Sequence, residues 1–80
     1  MPRYSRARLN KEADYFDRQA SRSDAAARSG DQAAADPAGS DHIRACAARA
    51  AEIARGNANE YRHIAASLRE GEIPDNVRLD

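Results

Sequence analysis

Glu60 and His63 stand three residues apart in Glu60-Tyr61-Arg62-His63, a spacing that puts a carboxylate and an imidazole one turn apart on a helix. Carboxylate-bridged metal centres in helical bundles use this Glu-x-x-His pair together with carboxylates from facing helices. Asp14 or Asp17 would stand at the right level if two helical pairs met. The helical periodicity nevertheless puts His63 on the outer side, where a bundle ligand does not belong, so solvated Glu60 and His63 are the simpler reading. Glu60, His63 and Asp17 are the metal candidates that this spacing names.

A second cluster is the basic N-terminal arm, Arg3, Arg6 and Arg8 with Lys11, which could touch phosphates beside Tyr4. The whole chain has 13 Lys and Arg against 13 Asp and Glu, a formal net charge of zero, and so lacks the excess that wholesale binding to nucleic acid or an anionic membrane draws on. If the two ends of the chain meet, Glu70, Glu72 and Asp75 lie near the arm and neutralise it. Nucleic-acid binding is therefore disfavoured.

Cys46 is the single cysteine, which excludes an internal disulfide, and it lacks the Cys and His companions of a zinc site. Its plain reading is a small buried hydrophobe. His42 follows Asp41 at a loop end and reads as a polar surface residue rather than a general base. No glycine-rich phosphate loop, nucleophile elbow or metalloprotease helix occurs, so no residues support an enzyme or imply a cofactor.

The elements that carry these residues read as two helices. Positions 9, 13, 16, 20, 23, 27, 30 and 34 hold Leu, Ala, Phe, Ala, Ser, Ala, Gly and Ala, one helical stripe in steps of four and three. Positions 43, 47, 50, 54, 57, 61, 64 and 68 hold Ile, Ala, Ala, Ala, Asn, Tyr, Ile and Leu, a second stripe of the same length. Between them Asp36-Pro37-Ala38-Gly39-Ser40-Asp41 reverses the chain, since Pro37 cannot sit inside a helix and Asp36 or Ser40 can cap the next one. Ser29-Gly30-Asp31 could end the first helix early, with Gly30 as its cap, but the unbroken stripe favours continuity.

The expected fold is all-α: an antiparallel two-helix hairpin, alanine-rich and coiled-coil-like, in a single domain. Its first helix runs over about 5–34, the loop over 35–40, the second helix over about 41–70 and an extended tail over 71–80. Phe16 should then face the Asn57 to Tyr61 region, and Leu9 should lie near Ile64 and Leu68. Bulky residues gather at the open end, while Ala27, Gly30, Ala34, Ala47, Ala50 and Ala54 let the helices close up towards the loop. Arg8 with Glu12, Asp14 with Arg18 and Asp24 with Arg28 are spaced for pairing along the outer faces.

Few large apolar residues are available, a supply low enough to raise the question of disorder; the alanine content and zero net charge oppose it. Burying one large side chain is worth roughly 1.5 to 3 kcal/mol, while ordering each residue costs about 1.5 kcal/mol, so a hairpin with so few anchors gains from company. Tyr15, Cys46 and Ile53 flank the stripes and would widen the apolar face for a second copy or another protein. Gly71 and Pro74 stop the second helix. Beyond them Ile73, Val77 and Leu79 either dock across the open end, over Leu9 and Leu68, or reach a partner's groove.

There is no apolar leader and no 18-residue apolar run, so the expectation is a cytoplasmic protein without a membrane span. By elimination the function expected is a non-catalytic protein-protein interaction module, a small oligomeric adaptor or a stoichiometric inhibitor of the size that phages and mobile elements carry. The alternatives are a carboxylate and histidine metal-binding four-helix assembly and a small nucleic-acid-binding factor.

Overall fold

The computed structural model describes residues 4–79. Two helices, α1 (Arg6–Ala35) and α2 (Asp41–Arg69), pack against each other as an antiparallel hairpin, a rod of 56 × 18 × 18 Å. Gly30 sits inside α1, which continues past it for a further turn. Each helix begins at a serine whose hydroxyl accepts from a backbone amide three residues on: Ser5 from Arg8 at 3.1 Å and Ser40 from Ile43 at 3.2 Å. Asp36 instead closes α1, and its carboxylate accepts from the Ala38 amide at 2.9 Å to tighten the turn.

α2 ends on Gly71, whose φ of 89° lies in the left-handed region that glycine occupies without penalty. The Gly71 amide donates to the Leu68 carbonyl at 3.0 Å and the Glu72 amide to the Ser67 carbonyl at 2.9 Å, so two of the helix's last carbonyls are satisfied. The tail then turns through a bond from the Val77 amide to the Pro74 carbonyl at 3.0 Å and returns to the hairpin.

The core lies at the open end. Leu9, Ala13, Ile64, Ala65 and Leu68 form it, with Tyr4, Phe16, Val77 and Leu79 packed around them. Tyr4 donates its hydroxyl to the Leu79 carbonyl, which pins the tail across the base of the hairpin. Phe16 meets Tyr61 with ring centroids 6.1 Å apart, and Tyr15 stands edge-on to Phe16 at 5.3 Å. Towards the loop the buried residues are alanines: Ala20, Ala27, Ala51 and Ala58.

The α1 seam falls where its stripe predicts, on positions 9, 13, 16, 20, 23, 27, 30 and 34. The α2 seam does so in part, at 47, 54, 61, 64 and 68, and departs from its stripe at 43, 50 and 57. Its covered positions are Arg44, Ala47, Ala51, Ala54, Ala58, Tyr61, Ala65 and Leu68, with Ile64 beside them, while Ile43, Ala50 and Asn57 face outward. The physical reason is width. Gly30 brings α1 so near that a methyl group built on it would lie 2.9 Å from the Ala47 carbonyl oxygen and 3.0 Å from the Ala51 Cβ. At the level of Gly30 only small side chains fit between the helices, and the alanines at 47 and 51 meet that condition. Arg44 takes the loop end of the seam instead, its Nε donating to the Ala34 carbonyl at 2.9 Å.

One flank of the rod carries a charge ladder. Arg55 grips Asp31 with two nitrogens at 2.7 and 3.2 Å, Arg62 bonds Asp24, and Arg69 reaches Asp17 at 2.7 Å and Asp14 at 2.8 Å. The acids 17, 24 and 31 and the arginines 55, 62 and 69 each recur every seven residues, so opposite charges meet only when the helices are antiparallel and in this register. Exposed pairs of this kind add little stability individually, and their value is in rejecting other registers. Asp14 and Asp24 thus reach across to α2 rather than along α1 to Arg18 and Arg28, because the arginines opposite approach them in the flank between the helices. Arg8 and Glu12 do pair along the helix, at 3.0 Å.

The hydrogen bond from Arg55 holds the Asp31 carboxyl below its ordinary value of 3.8. A carboxyl depressed in the folded state contributes stability that is complete above the unfolded value and disappears as pH falls through the lower native value. Urea unfolding of the wild type and Asp31→Asn should therefore differ at neutral pH and converge well below pH 3.8. An equal gap at both pH values would mean that this rung is not formed.

Candidate protein interaction surface

On the flank opposite the ladder, α2 carries Ile43, Cys46, Ala50 and Ile53, spaced three, four and three residues apart and all exposed. Ile43 is 59% and Ile53 54% exposed, the two largest values among the big apolar side chains described. The row contains no charge. Beside it, on the same flank of α1, stand Ala26 and Ala33, also exposed and uncharged. The nearest ion pair along α2, Arg49 with Glu52 at 3.5 Å, closes on itself.

Such a row differs from the opposite flank, where Asp14, Asp17, Asp24 and Asp31 are paired with Arg55, Arg62 and Arg69. Scattered apolar residues on a surface need no explanation, but aligned branched residues on one helix face make a strip that another surface can cover. Cys46 is exposed here, which corrects its reading as a buried small hydrophobe; its Sγ lies 3.7 Å from Nε2 of His42. Ile53 and Cys46 were legible as flanking residues. Ile43 and Ala50 were not, because the stripe that began at Ile43 assigned them to the seam. The polar Asn57 in that stripe was the signal against it, since 47, 51, 54, 58, 61, 65 and 68 form an apolar series without a break.

The other candidates lie elsewhere. Tyr15 is 47% exposed but belongs to the aromatic group near the open end. Val77 and Leu79 pack on the core, and Ile73 remains 39% exposed at the start of the tail. Arg3 lies outside the described residues. Arg6 donates to the Arg69 carbonyl at the end of α2, and Arg8 both pairs with Glu12 and covers the Tyr4 ring with its guanidinium 5.3 Å from the centroid. Arg6 and Arg8 are thus held against the hairpin.

Glu60, His63 and Asp17 are not brought together. Asp17 is engaged by Arg69 on the ladder flank, and Glu60 accepts from the Asn76 side chain at 3.4 Å. His63 lines an open depression of about 420 Å³ with Asn59 and Arg62. Among the described residues no three His, Cys, Asp or Glu side chains are grouped to hold a metal ion, and no helix is long and apolar enough to cross a membrane.

Comparison with known proteins finds no matching family model, no matching curated protein and no matching solved structure. The surface chemistry of this chain must therefore carry the functional reading.

Proposed function

We propose that the chain is a non-catalytic protein-protein interaction module, an adaptor or stoichiometric inhibitor that binds through the row Ile43, Cys46, Ala50 and Ile53. The supporting observation is that the two most exposed large apolar residues share one uncharged helix face, while the charges of the opposite flank are consumed within the hairpin. A rigid rod with one apolar flank suits occlusion or bridging, which need shape and surface but no reacting group. In this reading the hairpin behaves as an alanine-rich antiparallel coiled coil, oligomeric in its working state. The unpaired, exposed thiol of Cys46 suits a reducing compartment such as the cytoplasm.

The test is capture from the source lysate with tagged wild type and Ile53→Arg. A stoichiometric larger protein should co-elute with the wild type and be lost with the variant, whose helicity stays unchanged because the side chain replaced is 54% exposed. Identical capture by both proteins would exclude the row as the binding surface.

A further inference from the structure

The side of α1 that faces away from α2 carries a stripe of its own. Lys11, Tyr15, Arg18, Arg22, Ala25, Ser29 and Gln32 follow one another in steps of four and three, and every one of them is exposed. The stripe holds three cations and no acid. The acids nearest to it along the chain are engaged elsewhere: Glu12 by Arg8, Asp14 and Asp17 by Arg69, and Asp24 by Arg62. Among the described residues Lys11, Arg18 and Arg22 form no ion pair.

The ladder creates this imbalance. α1 has six cations and five acids of its own, and the ladder lays Arg55, Arg62 and Arg69 against those acids, so nine cations stand against five acids on that side of the rod. The zero net charge is a sum over the whole chain, in which Glu60, Glu70, Glu72 and Asp75 of α2 and the tail balance the basic side. An elongated partner meets one face and not the sum.

We propose that the stripe is a binding track for the phosphate backbone of a duplex nucleic acid. Its residue types favour that occupant over an acidic protein or an anionic membrane. A protein interface is built around an apolar core and a membrane-surface helix inserts large apolar side chains, whereas the one large ring here, Tyr15, stands alone among polar and small residues. Lys, Arg, Tyr, Ser and Gln are the side chains that contact phosphate oxygens. Length agrees as well: the advance of 21 residues from Lys11 to Gln32 covers about 32 Å of helix, the length of about nine base pairs. Contacts to phosphates carry no base information, so binding is independent of base sequence. The stripe is separate from the row on α2, and a rod that holds a protein on one and a duplex on the other bridges the two.

The test is fluorescence anisotropy of labelled duplexes of about 20 base pairs and mixed sequence, DNA and RNA, titrated with the full chain over a range of salt concentrations. Wild type should bind in the micromolar range at low salt, with log K falling against log salt at a slope of about −3 for its three cations. Arg18→Gln combined with Arg22→Gln should weaken binding by about tenfold or more and bring the slope to about −1. Removing the same charge away from the stripe, by Arg49→Gln with Arg78→Gln, should leave affinity and slope nearly unchanged. All four side chains are exposed, so helicity is retained in both variants. Whichever duplex binds more tightly names the source of the phosphates.

Absence of binding at low salt overturns the proposal, as does an equal loss in the two double variants, which would assign the effect to total charge. Tighter binding of a poly-glutamate peptide than of either duplex overturns the nucleic acid as the occupant. Capture of a larger protein through the row on α2 is read separately, so failure here is distinguishable from failure of that reading.

Discussion

Leu68→Ala should unfold the hairpin or bring it to the edge of unfolding. Leu68 has no exposed surface and is the one large side chain among the described residues that is completely enclosed. It fills the space between Leu9, Ala13, Ile64 and Ala65, beneath the layer formed by Tyr4, Val77 and Leu79. Truncating a buried leucine costs about 2 to 5 kcal/mol, and the total stability of a domain this size is about 4 to 12 kcal/mol. The thermal midpoint, followed by helical circular dichroism at fixed protein concentration, should fall by about 10 °C or more. The same truncation unseats the tail, so protease cleavage after Arg78 should accelerate. A midpoint within a degree of wild type would mean that the open end is not the core.

The second large effect contrasts one substitution at two glycines. Both Gly30 and Gly56 lie inside long helices, where alanine is intrinsically better by about 1 kcal/mol. At Gly56 a Cβ meets nothing within 4 Å, so Gly56→Ala should stabilise by about 0.5 to 1 kcal/mol. At Gly30 the added methyl would lie 2.9 Å from the backbone oxygen of Ala47 and 3.2 Å from the nitrogen of Ala51. Backbone cannot swing aside as a side chain can, so the helices must part along the alanine seam. Overpacking costs about 1 to 3 kcal/mol, which cancels or exceeds the propensity gain. Gly30→Ala should therefore destabilise in urea unfolding where Gly56→Ala stabilises. If both stabilise equally, the close approach at residue 30 is absent.

Much of this architecture was legible because it depends on local signals. Ser5 and Ser40 stand where caps belong, Pro37 and Gly39 interrupt the helical pattern, and Gly71 stands where α2 must end. The α1 seam was legible because its stripe has no competing apolar series. On α2 two series overlap, one starting from Ile43 and one from Ala47 and Ala51, and a branched residue is the stronger hydrophobic signal. Closeness of packing decided in favour of the alanines, and closeness is a property of two helices together. The ladder was hidden for a related reason. Asp14 and Asp24 have arginines four residues on in their own helix, and only the register of α2 shows that Arg69 and Arg62 reach them first.

By itself the amino-acid sequence determined that two long helices form, where each starts and stops, and that they fold back on one another, since capping, propensity and turn chemistry act over a few residues. It also excluded a site built from paired cysteines or a phosphate-binding loop. Only the tertiary structure decided which face of α2 is spent inside the hairpin and which is left outside. Rotating that helix by one position exchanges Ile43 and Ala50 between core and surface while leaving its local preferences unchanged. The exposed row, and with it the functional reading, follows from how near α1 allows α2 to come at Gly30.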